Sequence, residues 1–214
     1  MRPHLPLLLL VLAAGPAMAQ DSTHRDRPAQ GGGTLPKGWM ARPDGSGAIA
    51  NVKFDDMAPG WHVTTGPAVI LYRETDRADG SFHAVSKIHL FPSSGHAEAF
   101  GFILGGQNLQ AANQAYTYFL IRGDGKYLIK RRDGARTSTV VEWTGSDAIN
   151  KAKSDGPVVN ELSFEVGRES VTFMVNGKTL HTAPVSSVDT RGIVGLRVNH
   201  NLNLHVESVG VHPR

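Results

Sequence analysis

Hydrophobic and polar positions alternate with a period of two through most of this chain. The segment 116–122 shows the pattern clearly, because every second residue shares one side of an extended strand. Both of its sides carry large side chains, which predicts a central strand. The same pattern predicts further strands at 69–72, 82–91, 99–104, 126–132, 139–143, 161–166, 170–175, 178–183, 193–199 and 203–211.

Turn signals separate these runs. Asn-Gly or Asp-Gly pairs begin at positions 44, 79, 124, 133, 155 and 176. Such pairs tolerate the positive φ angles of tight hairpin turns, and the pair 176–177 predicts the clearest hairpin. One short helix is predicted at 146–153, where Ser146 would cap the first turn. The pattern therefore predicts an all-β, two-sheet antiparallel sandwich of about a dozen strands, with at most one short helix.

The amino terminus has the pattern of an export signal. Basic residues precede a short apolar run, and Ala17-Met18-Ala19 is typical of a signal-peptidase site. We predict a signal peptide at 1–19, a flexible Gly- and Pro-rich leader at 20–37, and one β-sandwich domain at 38–214. No apolar run is long enough for a membrane-spanning helix, and the chain has no cysteine. The expected location is the periplasm or the exterior.

Charge gives little reason to expect a nucleic-acid partner. The chain has 22 Lys and Arg against 19 Asp and Glu, a net charge of only +3. One local cluster is basic, and we interpret it as the solvated side of a hairpin rather than an anion site. Its members are Lys126, Lys130, Arg131, Arg132 and Arg136.

The order of segments resembles a known superfamily. The runs GWHVTTGPAVILYR, IRGDGKYLIKRRDG, NELSFEVGRESVTFMVNGKTLHTAP and GIVGLRVNHNLNLHVESVGV follow one another between about residues 52 and 211. This succession is similar to the concanavalin A-like lectins and glucanases, and within them to laminin-G-like and 3-keto-disaccharide hydrolase domains. The resemblance implies a jelly roll with one concave sheet, which in that superfamily often binds ligands. Calcium is a further implication of the laminin-G likeness, but no Asp-rich loop supports it, so no cofactor is expected.

Carbohydrate recognition combines aromatic rings with planar polar side chains, because a pyranose has both apolar and polar faces. Residues of this kind recur at strand positions here, and we predict that they line the concave sheet. The candidate ligand-binding residues are Tyr116, Tyr118, Arg122, Arg197, Asn199, Trp61 and His62, with Trp143 as a further stacking residue. The uncharged loop 105–115 is a candidate rim loop.

Catalytic residues are not identified by the sequence. The E-x-D-x-x-E strand motif of the laminarinase-type members is missing, and Glu161 and Glu165 are expected on a solvent side of their strand. Glu98, Glu142 and Glu207 are isolated in sequence. His200 and His205 have odd spacing, which places them on opposite faces of a regular strand and argues against a metal site.

Three functions remain open from these residues. The first is noncatalytic binding of a carbohydrate or similar polar ligand outside the cytoplasm. The second is a glycoside-cleaving enzyme, with 3-keto glycosides as a candidate substrate, and the third is a structural protein-interaction module. The sequence says nothing about the oligomeric state.

Overall fold

The computed structural model describes residues 29, 31–92 and 97–214. The predicted signal peptide and most of the predicted leader lie outside the described residues. Fourteen strands are described: β1 (Met40–Pro43), β2 (Val52–Asp56), β3 (Trp61–Thr65), β4 (Val69–Ala78), β5 (Phe82–Leu90), β6 (Ala99–Gln107), β7 (Ala115–Arg122), β8 (Lys126–Asp133), β9 (Arg136–Gly145), β10 (Val158–Val166), β11 (Ser170–Val175), β12 (Lys178–Pro184), β13 (Gly192–Val198) and β14 (Asn203–Pro213).

These strands form two antiparallel sheets of seven. The front sheet has the order β1-β4-β13-β6-β7-β8-β9, and the back sheet has the order β12-β11-β10-β5-β14-β3-β2. Strands distant in sequence are neighbours in both sheets, as in a jelly roll. The prediction of an all-β, two-sheet antiparallel sandwich is confirmed.

The core lies between the sheets and follows from the alternation. Phe102 and Phe119 point inward from the front sheet and meet Phe164 and Phe173 of the back sheet. The ring centroids of Phe102 and Phe164, and those of Phe119 and Phe173, are 5.2 Å apart. Burial of each such ring contributes roughly 2–3 kcal/mol. The alternate residues of the same strands therefore form the outward faces.

The hairpin between β11 and β12 turns at Asn176 and Gly177. Their φ angles are 51° and 73°, as a two-residue turn with two positive φ angles requires. The Asn176 side chain also accepts a bond from the backbone N–H of Glu161 at 2.9 Å and donates to the carbonyl of Ala148 at 2.8 Å. The Asn176 side chain therefore also holds the segment that connects β9 to β10.

The predicted helix at 146–153 is wrong. In the described residues, helical geometry is confined to two short 3₁₀ turns, Ile49–Asn51 and Val185–Ser187. The backbone N–H of Asn150 donates to the Asn160 side chain at 2.8 Å, and that of Ala152 donates to the Gly123 carbonyl at 2.8 Å. Because these donors bind a side chain of β10 and the carbonyl of the turn after β7, they do not form the bonds of a helix.

The end of the predicted leader contacts the sandwich. Gly32 forms an isolated parallel bridge with Lys53, and its carbonyl accepts the backbone N–H of Phe54 at 3.0 Å. Leu35 packs against the core. In the described part of the chain, no helix is long and apolar enough to cross a membrane.

Candidate functional site

The outward surface of the front sheet, here called the front face, carries most of the predicted binding residues. Cross-strand pairing sets Tyr118 of β7 directly opposite Lys130 of β8, and Tyr116 opposite Arg132. Arg197 of β13 points outward from the same sheet, since Leu196 and Val198 enter the core. Strand alternation therefore brings these groups from three strands to one surface.

Arg197 is the centre of this surface. Its guanidinium donates to Asp44 at 2.5 Å and to the Tyr116 hydroxyl at 3.2 Å, and it lies 5.6 Å from the centroid of the Tyr118 ring. Burial alone lowers the pKa of Arg197, but Tyr116 and the Asp44 carboxylate more than offset this and hold the pKa above its ordinary value. Arg197 is therefore a fixed cation.

Asp44 lies between two guanidinium groups. Besides its bond to Arg197, its other carboxylate oxygen, Oδ1, is 3.7 Å from Arg132. This oxygen is buried and accepts no hydrogen bond. One carboxylate is thus shared by two guanidinium groups. The three side chains together therefore have a net charge of about +1.

Tyr118 is the half-buried aromatic residue of this group, whereas Tyr116 is fully buried. Their ring centroids are 5.9 Å apart. Desolvation raises the pKa of Tyr118, and the nearby Arg197 only partly opposes this. Within the described part of the chain, no side chain hydrogen-bonds to the Tyr118 hydroxyl, so this neutral hydroxyl is available to a ligand.

A second group is centred on Arg122, which lies about 13 Å beyond Tyr118 along β7, given the rise of about 3.3 Å per residue. The Arg122 guanidinium lies over the Trp143 ring, 4.3 Å from its centroid, and donates to Asp124 at 2.5 Å. The hydrogen bond from Arg122 lowers the pKa of Asp124. Trp143 packs beside Leu120 and Leu128 on the front face. Arg122 and Trp143 together present one flat, cationic surface.

The loop predicted at 105–115 folds over one end of the front face. Leu109 is buried against Ile70, Tyr72 and Tyr116, and the Gln110 side chain donates to the Tyr72 hydroxyl at 2.9 Å. The loop therefore covers Tyr116 and Tyr72 and leaves Tyr118 at its border.

Asn199 lies beyond the end of β13, in a second polar group. Its side chain donates to Glu98 at 3.2 Å, and Glu98 is 3.0 Å from His200. Glu98 and Asp124 both line a cavity of about 300 Å³, which is otherwise formed mainly by apolar residues and by Lys153. This cavity lies at the end of the sandwich, next to the Arg122 end of the front face.

Two of the predicted binding residues lie elsewhere. Trp61 is buried in the core, with its ring centroid 5.1 Å from that of Trp39. His62 points outward from β3, on the back sheet, and packs against Phe91. The prediction that Trp61 and His62 share a surface with Arg122 and Arg197 was wrong, because β3 belongs to the opposite sheet.

The basic cluster predicted from sequence is divided by strand alternation. Lys126, Lys130 and Arg132 point to the front face, whereas Arg131 points to the other side and binds Asp189 at 2.7 Å. Arg136 is exposed on the edge strand β9. These basic residues therefore do not form one solvated side of a hairpin, as the sequence was interpreted to indicate.

The outward surface of the back sheet, the back face, carries a row of histidines that sequence reasoning missed. His205 pairs directly with His62 on one side and with His89 on the other. The ring centroids are 6.2 and 5.2 Å apart. Their sequence positions give no signal of this, because the register of three distant strands creates the row. In the described residues, no three His, Cys, Asp or Glu side chains are arranged to hold a metal ion.

The acidic residues considered for catalysis are dispersed. Glu207 is 2.9 Å from both His89 and Lys87 on the back face. Glu165 forms an ion pair with Arg214 at 2.7 Å, and Glu161 is exposed on the same strand. These groups do not join the front face.

No protein-family model matches this chain, and no curated protein does either. Solved structures match its fold. The CBM66 carbohydrate-binding module from Bacillus subtilis superposes with a TM-score of 0.57 at 12% identity, over 82% of this chain and 95% of that chain. A glycoside hydrolase family 16 endo-glucanase from Bacteroides ovatus gives 0.57 at 11% identity, over 83% and 96%. The Emp46p carbohydrate recognition domain gives 0.53 at 10% identity, over 89% and 96%.

These likenesses establish the class of fold. The chain has the fold of a jelly-roll sandwich, which is the fold that the sequence resemblance implied. At sequence identities of 10–12%, these structures show that the fold is shared, but they do not show that the activity is shared.

Proposed function

We propose that this protein is an exported carbohydrate-binding module that holds a glycan on its front face without cleaving it. The observation that carries the proposal is the convergence of Tyr118, Arg197 and Arg132, with Arg122 over Trp143 on the same surface. Such a surface offers the Tyr118 ring for the apolar side of a pyranose and planar donors for its hydroxyl groups.

The acidic groups of the front face favour binding over catalysis. Asp44 is held by Arg197 and Arg132, and Asp124 is held by Arg122. A glycosidase needs a carboxyl group that is protonated near neutral pH, which requires a raised pKa. The pKa of Asp124 is shifted in the opposite direction. The export signal at 1–19 supports a role outside the cytoplasm.

The fold of the neighbours agrees with this proposal. The CBM66 module and the Emp46p domain are named for carbohydrate binding or recognition, and both use a similar sandwich. A shared fold makes carbohydrate binding more plausible, but the proposal depends on the residues of the front face.

The test is a binding and turnover screen of the purified protein on a glycan panel that includes 3-keto sugars. We expect retention without product, and we expect Tyr118→Ala to weaken retention by about tenfold, since stacking of one ring contributes roughly 1 kcal/mol or more. Met174→Ala on the back sheet is the matched control. Retention that is unchanged in Tyr118→Ala would contradict the proposed surface, and absence of all binding would favour a structural module.

A second candidate function rests on the Glu98 cavity. The Glu98 side chain is only 10% exposed, is 3.0 Å from His200, and shares a cavity of about 300 Å³ with Asp124. A buried carboxylate beside an imidazole is a common arrangement for acid–base chemistry. If the screen releases product and Glu98→Gln abolishes this release, the protein is a glycoside-cleaving enzyme.

A further inference from the structure

Part of the front face has a strong excess of positive charge. Its outward side chains on β1, β7, β8 and β13 and at the adjoining turns include six cations and two carboxylates. The cations are Arg42, Arg122, Lys126, Lys130, Arg132 and Arg197, and the carboxylates are Asp44 and Asp124. The whole chain has a net charge of only +3, so the excess of four on these strands is compensated elsewhere.

The excess is concentrated beside Tyr118. Lys130 lies directly opposite Tyr118 and is only partly exposed. Arg132 shares Asp44 with Arg197, and its distance of 3.7 Å is the longer of the two. In the part of the chain that the structure describes, no carboxylate lies within ion-pair distance of Lys130. Like charges held together at a partly desolvated surface repel, and a bound anion relieves this repulsion.

The chemistry of these cations suits a carboxylate or a sulfate. A guanidinium presents parallel N–H donors that match two oxygens of such a group, and Lys130 adds a mobile point charge. The neighbouring Tyr118 ring and its free hydroxyl supply the contacts for a sugar ring. An anion between Lys130 and Arg132 would therefore lie next to a sugar bound on Tyr118.

We infer that the ligand of the front face is an acidic glycan, with uronate carboxylates or sulfate esters held by Lys130 and Arg132. This inference rests on the proposed function. A nucleic acid is the less suitable polyanion, because single strands bind on successive stacking platforms. Tyr118 and Trp143 pack against the same pair of leucines, Leu120 and Leu128, but Arg122 already covers the Trp143 ring, which leaves Tyr118 as the one open ring of the two.

The test compares matched glycans in calorimetric titrations. Polygalacturonate is set against its methyl ester, dextran sulfate against dextran, and an oligothymidine is included as a third polyanion. We expect at least one acidic glycan to bind about tenfold or more tightly than its neutral partner, and this preference to fall between about 0.05 and 0.2 M salt. Polygalacturonate and dextran sulfate distinguish carboxylate from sulfate recognition.

Variants separate site binding from general attraction of polyanions. Lys130→Met is expected to weaken the acidic glycan by about fivefold or more and to leave the neutral glycan unchanged. Lys53→Met removes an exposed back-face cation as the control and should have little effect. Lys130→Gln gives a second, polar variant of the same position should Lys130→Met unfold.

Four results would overturn the inference. Equal losses in Lys130→Met and Lys53→Met would show unspecific attraction, and tighter binding of the oligothymidine would point to nucleic acid. Equal binding of neutral and acidic glycans that still depends on Tyr118 would refute acidic preference while the proposed function stands. If no glycan binds at all, the proposed function fails together with the inference.

Discussion

The front and back faces of this sandwich use the same strand geometry to gather opposite kinds of chemistry. On the front face, Arg197 and Arg132 share one carboxylate and remain charged beside Tyr118. On the back face, His62 and His205 lie side by side, with only 8% and 7% of their surfaces exposed. The difference shows that alternation decides which side chains point outward, whereas cross-strand register decides which of them meet.

The two faces also differ in the charge state of their partly buried polar side chains. The front face keeps fixed cations that a ligand can neutralise. The back face keeps one imidazole, that of His205, whose charging is unfavourable, because desolvation, and after it His89, lowers its pKa. The front face is therefore suited to recognising an anion, and the back face to sensitivity toward acid.

The largest expected effect concerns the loop that covers the front face. Leu109→Ala should reduce the free energy of unfolding by about 2–4 kcal/mol, because Leu109 is 3% exposed and its loss leaves a cavity over Tyr72 and Tyr116. Chemical denaturation measures this. Ile49→Ala, at a residue 46% exposed, is the control and should change stability by less than about 0.5 kcal/mol. Equal stability of both variants would mean that the loop does not pack as described.

The next effect tests whether the cations of the front face depend on Asp44. Arg197→Met should lower the free energy of unfolding by about 1–3 kcal/mol, because it leaves the Asp44 carboxylate partly buried without its closest partner. Denaturant titration of Arg197→Met, Asp44→Asn and the double variant forms a thermodynamic cycle. We expect the double variant to recover part of the loss, with a coupling energy above about 0.5 kcal/mol. Purely additive losses would contradict a shared ion pair.

The smallest effect belongs to the back face and depends on pH. The pKa of His205 is lower in the folded protein than the ordinary value of about 6.5. The unfolded chain then binds a proton more readily, so stability is fully present above about pH 6.5 and falls as the pH drops toward the folded pKa. His205→Gln should lose less stability over this window, as measured by thermal unfolding between about pH 8 and pH 5.5.

Other titratable groups near His205 also contribute to the pH dependence of stability. His62 and His89 flank His205, and Lys87 and Glu207 lie beside His89. Hydrogen bonds from His89 and then Lys87 lower the pKa of Glu207, so its contribution is lost only at more acidic pH, below its ordinary value near 4.5. An identical pH dependence in His205→Gln and the unchanged protein would exclude His205 as the source of acid sensitivity.

Much of the fold follows from the sequence. The eleven predicted strands all lie within described strands apart from end residues such as Phe91 and Asn199, and the 176–177 hairpin forms where expected. The missed strands β1, β2 and β3 have only four or five residues, so their periodicity is weak. The prediction of a helix at 146–153 failed because backbone donors of this segment bind groups distant from it, such as the Asn160 side chain of β10, which local propensity does not show.

The candidate site was less accessible to sequence reasoning. Alternation within one strand correctly grouped Tyr116, Tyr118 and Arg122, since that relation is local. Assigning Trp61 and His62 to the same surface failed, because sheet membership depends on long-range pairing. The role of Asp44 was also hidden, since it reaches Arg197 across 153 sequence positions. Contacts of this kind become visible only in three dimensions.

The most direct test of the front-face account is an NMR titration of the tryptophan side chains. The chain has three tryptophans, of which Trp143 lies on the front face, whereas Trp61 is buried and packs against Trp39 on the core side. We predict that a bound acidic glycan shifts the indole N–H signal of Trp143 and leaves the signals of Trp39 and Trp61 unchanged. A shift of the Trp61 signal with a static Trp143 signal would place the ligand elsewhere and contradict the account.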